Sequence, residues 1–492
     1  MDRPKNNPWA RTLLGLLLLA SLVLCSAADP EQLAQLDRLQ EMLEDRQWEA
    51  VATEAEALLA DHPDNAAIRA KFGLALLGKA RTEEQVLDEA KADQLKSATD
   101  PAAFFDPALF RTEVTFDDGL WGQAREEFER VLARSSDNLD ARVGLASIYG
   151  RAGDPAQERE QIRLAARAHA DDQEAGRLLL RFGEKYFAAG GYEDALAIFG
   201  ILMESFGADP TVALDYGAAQ FANSQYDAGI ATLEKASGLD PDSENLSQTL
   251  AQMYIFRMYW EEAAAVYQRL GEQFPDNPMI TVQHGASLLP ESLQRGRVLL
   301  QQVVQADPEK GTPAAAVAGN LLLGLDEGAT PDLVQLADDL NSRRLPHLAA
   351  TVGGVLLVRE PDSVAGRLVF AAIYDGLQYF DLSLLMLRDA AKVIGENPQA
   401  SAPFTRDDVI ASQGRTHFRM GNHQKAVDAF LSADDPRKFH LALGLGYEKL
   451  GDSRKAFDYF TQVVEGGGTG PQLVRASEHL ARQEYSGFQK DQ

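Results

Sequence analysis

Catalysis and metal binding require reactive side chains at particular spacings, and this 492-residue sequence contains few of them. Its eight histidines are scattered, and the closest pair, His417 and His423, falls short of the three or four converging ligands that zinc requires. No His-Glu-x-x-His, Gly-x-Ser-x-Gly or paired Cys-x-x-Cys motif occurs. We therefore expect no catalytic residue, no metal site, no cofactor and no enzymatic activity.

Two glycine-rich segments could be mistaken for nucleotide-binding loops. Gly444 and Gly446 are followed by a third glycine only at Gly451, within a helical pattern and not after a strand. The segment GGGTG at residues 466–470 lacks the Lys-Ser or Lys-Thr that completes a phosphate-binding loop. Neither segment predicts nucleotide binding.

The charge of the chain bears on its partners. Asp and Glu number 74 against 47 Lys and Arg, which gives a formal net charge of -27. Such a chain repels phosphate backbones, so a nucleic-acid partner is not expected.

The N-terminus has the three parts of a secretory signal peptide. Arg3, Lys5 and Arg11 precede a mostly apolar run at residues 13–24, and small residues follow at 26–28. The run is too short to cross a bilayer, which needs about twenty apolar residues. We interpret residues 1–28 as a signal peptide and expect the protein to be exported.

The only cysteine, Cys25, lies at the end of this segment. Cleavage after Ala28 would leave a chain without a thiol. Alternatively, Leu22 to Cys25 resembles a bacterial lipoprotein box, which would associate the protein with a membrane through a lipid on Cys25. Leu24 departs from the small residue that usually precedes that cysteine, and both alternatives stay open.

A repeat of 34 residues accounts for most of the remaining sequence. Tyr192, Tyr226 and Trp260 are anchors spaced 34 residues apart. A small residue recurs nine positions before and three after each anchor, and a large apolar residue recurs seven after it; around Tyr192 these are Gly183, Ala195 and Phe199. Offsets of three, four and seven are helical, so each unit is predicted to be two amphipathic helices joined by a short turn.

This pattern resembles the tetratricopeptide repeat (TPR) family, most closely in LGLGYEKLGDSRKAFDYF at residues 443–460 and FGEKYFAAGGYEDALAIF at residues 182–199. The resemblance covers roughly residues 31–470. It implies an all-α fold, a right-handed α-solenoid of about ten to eleven helix-turn-helix repeats, each packed on its neighbours. It also implies a protein or peptide partner held in the concave groove.

Interruptions of the repeat divide the chain into segments. Residues 29–312 are predicted to be an N-terminal array that contains an insertion after Ser97, and residues 313–345 an irregular helical connection with one extra helix. Residues 346–470 form a C-terminal array. Residues 471–492 are predicted to be a capping helix and tail, with Leu473, Ala476 and Leu480 on the side that covers the last repeat.

The first helix of each repeat should line the concave face, where the residues one and four positions beyond the small residue point outward. This rule selects an apolar stripe bordered by side-chain amides, which suits a bound peptide. The stripe consists of Phe187, Phe221, Gln252 and Ile255, and Gln248, one turn before Gln252, is added to it. In the alternative interpretation, these residues pack against neighbouring helices.

The same offsets and their neighbours select a cationic cluster near the C-terminus, consisting of Arg415, Phe418, Arg419 and Lys438. On an acidic chain, such a cluster could attract an acidic partner segment, with Phe418 supplying an apolar contact. Alternatively, its charges are solvated or structural, for example through an Arg419–Asp452 pair.

Together these features lead us to expect an exported, non-catalytic TPR scaffold that mediates protein–protein interaction in the cell envelope, most simply in the periplasm. The alternative is an outer-membrane-anchored lipoprotein that supports assembly of a polysaccharide or pilus export machine.

Overall fold

The computed structural model describes residues 30–97, 119–327, 330–397, 403–466 and 470–490. These residues form 24 α-helices, one short 3-10 helix and no strand, which confirms the expected all-α fold. The predicted signal peptide, Cys25 and the insertion that follows Ser97 lie outside the described residues. The chain divides into two compact units, Met1–Leu239 and Asp240–Gln492.

The described part of unit 1 contains ten helices that pair into five consecutive hairpins. They are α1 (Pro30–Glu44), α2 (Trp48–Asp61), α3 (Ala66–Ser97), α4 (Gly119–Leu132), α5 (Leu139–Ala152), α6 (Pro155–Ala168), α7 (Gln173–Ala188), α8 (Tyr192–Phe206), α9 (Pro210–Ala222) and α10 (Tyr226–Leu239). Odd-numbered helices are the first helices of the repeats and even-numbered helices the second.

The described part of unit 2 contains fourteen further helices. They are α11 (Glu244–Phe256), α12 (Trp260–Gln273), α13 (Pro278–Leu288), α14 (Leu293–Ala306), α15 (Pro313–Glu327), α16 (Thr330–Ser342), α17 (Pro346–Arg359), α18 (Val364–Gly376), α19 (Phe380–Glu396), α20 (Arg406–Arg419), α21 (His423–Leu431), α22 (His440–Lys449), α23 (Ser453–Glu465) and α24 (Gly470–Lys490). The 3-10 helix is Pro436–Phe439. Six hairpins form here, so the eleven hairpins described agree with the predicted repeat number.

One contact recurs inside the hairpins, between a glycine of the first helix and a large residue sixteen positions later in the second. A Cβ atom added to Gly183 would lie 2.3 Å from Phe199 Cε1. The equivalent pairs are Gly217 with Leu233, Gly414 with Phe430 and Gly444 with Phe460. Because glycine has no side chain, the ring or isobutyl group fills the space beside the helix backbone, and close packing fixes the register of the hairpin.

In ten of the eleven described hairpins, a left-handed residue lies two positions before the anchor at the start of the second helix. Its φ is +79° at Gly190, the glycine before Gly191 and Tyr192. Glycine accepts this conformation at no steric cost, whereas other residues do so at a cost. Five of these turns use glycine, and the other five use Arg46, Ser224, Met258, Arg344 and Gln378.

A buried carboxyl group occupies one position that the repeat otherwise gives to a small residue. Glu158 is fully buried and accepts a hydrogen bond from the Tyr186 hydroxyl, with Lys185 Nζ 3.9 Å away. Gly150 provides the room, since a Cβ atom there would lie 2.2 Å from Glu158 Oε1. Burial raises the pKa of Glu158, against the opposing effects of Tyr186 and Lys185.

Unit 2 departs from a simple stack of hairpins. Residues 313–345, predicted as an irregular connection, lie within this unit and form α15, α16 and the turn after α16. Helix α15 packs on α13 and α14, whereas α16 forms a hairpin with α17. Helix α15 is therefore an extra helix between hairpins.

Helix α17 packs against the first helices α11 and α13. Residues 347–356 of this helix are all buried. Gly354 lies against Trp260, because a Cβ atom there would be 2.7 Å from Trp260 Cζ2. Tyr374 Oη of α18 donates a hydrogen bond to the Phe256 carbonyl oxygen of α11 at 2.5 Å. These contacts join helices that are far apart in sequence, and they cover part of α11 and α13.

The last helix, α24, packs on α23. Ala476 is fully buried in a cluster with Phe460 and Val463, and Leu480 packs against this cluster. The His479 ring stacks on Phe460 with centroids 4.9 Å apart. Helix α24 thereby covers apolar side chains of α23.

The glycine contact can be tested by two Gly→Ala changes that should have opposite signs. We expect Gly183→Ala to lower the free energy of unfolding by about 1–3 kcal/mol, because the added methyl group overlaps the Phe199 ring. Gly200→Ala should raise it by about 0.5–1 kcal/mol, because Gly200 is also inside a helix and its added methyl group makes only an ordinary contact, 3.7 Å from Tyr216. Urea unfolding followed by circular dichroism measures both changes. Stabilisation by Gly183→Ala would contradict the packing.

The turn geometry predicts a stabilising substitution at Gln378, whose φ is +65° and whose side chain is exposed. Gln378→Gly should raise the free energy of unfolding by roughly 0.5–1 kcal/mol, since relief of left-handed strain exceeds the entropic cost of glycine. The converse change, Gly451→Ala, should lower it by about 1 kcal/mol, because φ there is +78°. Thermal and urea unfolding measure both, and equal effects of the two changes would argue against the assigned backbone conformation.

Candidate partner-binding surface

A cleft of about 540 Å³ opens between the first helices of unit 1. Helices α1, α3, α5 and α7 contribute most of its walls, and the N-terminal end of α2 completes them. Its lining residues are Leu43, Arg46, Trp48, Leu74, Leu77, Gly78, Arg81, Thr82, Gln85, Asp140, Val143, Gly144, Ser147 and Leu178. This volume falls in the range of roughly 300–1,000 Å³ that is typical of ligand-binding clefts.

The floor of the cleft is apolar. Leu77 of α3, Val143 of α5 and Leu178 of α7 are 4%, 7% and 3% exposed. The repeat places them there because the faces of the first helices that do not pack on the second helices lie side by side. Apolar partner groups would remove the remaining exposed surface from water, which favours binding.

Two arginines that line the cleft have no side-chain partner among the residues that the structure describes. Within the described residues, the guanidinium groups of Arg46 and Arg81 make no hydrogen bond or ion pair, and both side chains are exposed. Desolvation lowers the pKa of Arg81, and Glu84 opposes this effect.

The acidic groups near these arginines are already paired. Asp140, the only carboxyl group among the described lining residues, accepts a hydrogen bond from Lys71 Nζ at 2.9 Å. Glu84 forms an ion pair with Arg151. The cleft therefore presents unpaired positive charge on a chain whose net charge is -27.

A carboxyl group with a perturbed pKa lies further along the first helices of unit 1. Burial and the neighbouring Glu184 raise the pKa of Asp215 to about 7. Asp215 is on α9 and Glu184 on α7, and these helices are in contact. The charge of this region changes near neutral pH.

The predicted apolar stripe is largely occupied by contacts within the protein. Phe221 and Ile255 are fully buried, so, contrary to the sequence prediction, neither side chain points outward from the surface. Phe221 meets Tyr226 edge to face at a centroid distance of 4.9 Å. The half-buried Phe187 contacts Tyr192 in the same way, at 5.1 Å.

The amides of the stripe are more accessible than Phe221 and Ile255. Gln248 is half-buried and donates a hydrogen bond to Glu244 Oε1 at 2.8 Å. Gln252 is also half-buried. Phe187 belongs to unit 1 and both glutamines to unit 2. Partner binding by these three residues stays a prediction.

The predicted cationic cluster near the C-terminus is largely neutralised. Arg419 forms an ion pair with Asp375, and not with Asp452 as the alternative interpretation suggested. Lys438 Nζ donates to Asp407 at 2.8 Å. Two of the three cations are therefore paired by acids of the same chain.

The other two members of this cluster differ in their exposure. Phe418 packs against His423 with centroids 4.9 Å apart. Arg415 is exposed and makes no side-chain ion pair within the described part of unit 2. Its role in binding stays a prediction.

The sequence already contained a signal for the unit 1 cleft. The offset rule applied to the small residue Gly73 selects Leu74 and Leu77, and applied to Ala146 it selects Ser147. All three line the cleft. Arg46 lies in a turn and Arg81 lies eight residues beyond Gly73, so the rule does not select them.

Among the described residues, no group of three or more His, Cys, Asp or Glu side chains could hold a metal ion. In the same residues, no helix is both long enough and apolar enough to span a membrane.

Two family models described as tetratricopeptide repeat match the chain, one at residues 220–281 and the other at residues 116–173 and 180–244. These residues therefore contain tetratricopeptide repeats, and the same hairpin geometry continues on both sides of them. Members generally bind protein or peptide partners without catalysis, so the matches support a protein-interaction scaffold.

Solved structures with local similarity include MamA, which is 15% identical, with 36% of this chain and 94% of that chain covered at a TM-score of 0.29. YrrB, described as a TPR protein with an unusual peptide-binding site, is 13% identical, with coverages of 38% and 95% and a TM-score of 0.29. PilF of Pseudomonas aeruginosa is 16% identical, with coverages of 39% and 85% and a TM-score of 0.25. These values are too low to carry a functional argument. None of the curated proteins matches the chain.

The raised pKa of Asp215 predicts how stability depends on pH. As pH rises from the ordinary value of 3.8 towards about 7, the unfolded chain loses this proton before the folded chain does, so the free energy of unfolding falls. Asp215→Asn should remove this fall and make the variant more stable than the native protein at about pH 8. Thermal unfolding across this range measures the difference. The exposed Asp171→Asn is the control, and equal effects of both changes would contradict the prediction.

Proposed function

We propose that this protein is an exported TPR scaffold that holds cell-envelope proteins together through the concave face of unit 1. The observation that carries the proposal is the cleft on α1, α3, α5 and α7, which combines an apolar floor with arginines that have no side-chain partner in the described part of the chain. In unit 2, α17 packs against the first helices α11 and α13. Unit 1 is therefore the better candidate for binding a partner.

Export is proposed from the sequence of residues 1–28, and the periplasm is the simplest destination. A second candidate is an outer-membrane-anchored lipoprotein that supports assembly of a polysaccharide or pilus export machine. It is favoured by Cys25 and the apolar residues before it. Both candidates use the same binding surface and differ in the chemistry of the mature N-terminus.

Cell fractionation and intact mass measurement of the C-terminally tagged full chain test the location. A soluble envelope protein whose mature chain begins at Asp29 would support the periplasmic scaffold, whereas an acylated Cys25 in the membrane fraction would support the lipoprotein. Retention of the complete chain in the cytoplasm would contradict both.

A photo-crosslinking amino acid at Thr82 tests the surface in native cells. Thr82 lines the cleft, and Thr53 of the second helix α2 is the matched control, because each exposed threonine donates a hydrogen bond at 2.9 Å to a carbonyl four residues earlier. We expect specific cross-links to envelope proteins from Thr82 and none from Thr53. The same cross-links from both positions would count against a scaffold that uses this cleft.

A further inference from the structure

We propose that the cleft of unit 1 binds an extended acidic segment of a partner protein, with apolar side chains on the Leu77, Val143 and Leu178 floor and a carboxylate on Arg81. This inference rests on the proposed scaffold function and specifies the chemistry of its partner. Three properties of the cleft carry it: its unpaired cations, its apolar floor and its length across the repeats.

The arginines of the cleft favour a negatively charged ligand. Arg46 and Arg81 line one cleft without side-chain partners in the described part of the chain, and Lys71 neutralises Asp140 beside them. Arginine presents a planar fork of donors that matches both oxygens of a carboxylate. The chain as a whole carries a net charge of -27 and repels an acidic segment, so the guanidinium groups of the cleft would favour its binding there.

The apolar floor favours a ligand that also contains apolar residues. The three floor residues come from three neighbouring repeats, so the apolar surface is elongated and not a single pocket. A segment that consists only of acidic residues would leave this floor in contact with water. A segment that alternates acidic and apolar residues satisfies both the floor and the arginines.

The length of the cleft favours an extended ligand. Packed helices lie about 8–10 Å apart, so four first helices span about 24–30 Å. An extended peptide rises about 3.3 Å per residue and covers that distance in about eight residues. The hydroxyl group of Ser147 lines the path and can hydrogen-bond to the backbone of such a peptide.

Synthetic fluorescent peptides test the charge of the ligand against the full chain. Each has a core of about eight residues that alternates leucine with glutamate, lysine or serine. Both ends are blocked so that charge resides only on side chains. Fluorescence anisotropy should show that the glutamate peptide binds at least about tenfold more tightly than the other two and weakens as salt is added. Equal affinity for all three peptides would overturn the proposal.

Substitutions test the position of the ligand. Arg81→Glu should weaken binding of the glutamate peptide by about tenfold or more, and Arg81→Lys should retain most of it, because the charge is kept. Arg167→Glu, at a side chain that is 63% exposed on the second helix α6, should leave binding unchanged. Circular dichroism confirms the fold of each variant, and Thr82→Glu places a negative charge at the cleft if Arg81→Glu does not fold. Unchanged affinity in both Arg81→Glu and Thr82→Glu would overturn the proposal.

Two other occupants would also overturn it. If the glutamate peptide binds only after the acidic residues at positions 98–118 are replaced by amides, the cleft is filled by the chain itself. If sedimentation shows a dimer that Arg81→Glu dissociates, the occupant is a second copy. If the peptide fails to bind while Thr82 still cross-links to envelope proteins, the scaffold stands and only the acidic class of partner is wrong.

Discussion

The close approach of two helix backbones at a glycine is the contact on which this structure depends. At Gly183 and Gly444, the missing side chain leaves space that Phe199 and Phe460 fill. Each such pair fixes one hairpin, and stacking the hairpins places the first helices side by side. The cleft of unit 1 is a consequence of this arrangement, because its floor consists of first-helix residues that do not face the second helices.

The two units are built from the same kind of hairpin, but they differ in what packs against their first helices. Among the described residues of unit 1, the first helices α1, α3, α5 and α7 leave a cleft between them. In unit 2 the small residues of α17, among them Gly353 and Gly354, let that helix pack closely beside other helices. Apolar surface that could bind a partner in unit 1 is thus partly buried within the chain in unit 2.

The repeat could be predicted from the sequence because the spacing of small and large residues follows directly from helix geometry. The conformations of individual side chains could not be predicted in the same way. Phe187, Phe221 and Phe418 each turn towards a ring five residues later, across the turn between the two helices. The offset rule places residues on a helix face but contains nothing about contacts across a turn.

The ion pairs likewise could not be predicted from the spacing of residues in the sequence. Arg419 is 44 residues from its partner Asp375 and Lys438 is 31 from Asp407, and both partners lie in other helices. Arg81 differs from them because Glu84, the carboxyl group whose charge acts on it, forms its ion pair with Arg151. Which cations remain unpaired depends on the complete arrangement of neighbouring helices, and that arrangement emerges only in the folded structure.

The hydrogen bond from Tyr374 to the Phe256 carbonyl joins residues 118 positions apart, and this separation affects how unit 2 can be made. A stack held only by neighbouring hairpins can form progressively as the chain is synthesised. Unit 2 cannot complete its fold until α18 has been translated, and closing so long a loop carries an entropic cost that slows folding. Once closed, the contacts of α17 and α18 with α11 couple distant hairpins, so unit 2 should unfold more cooperatively than a solenoid whose ends can fray.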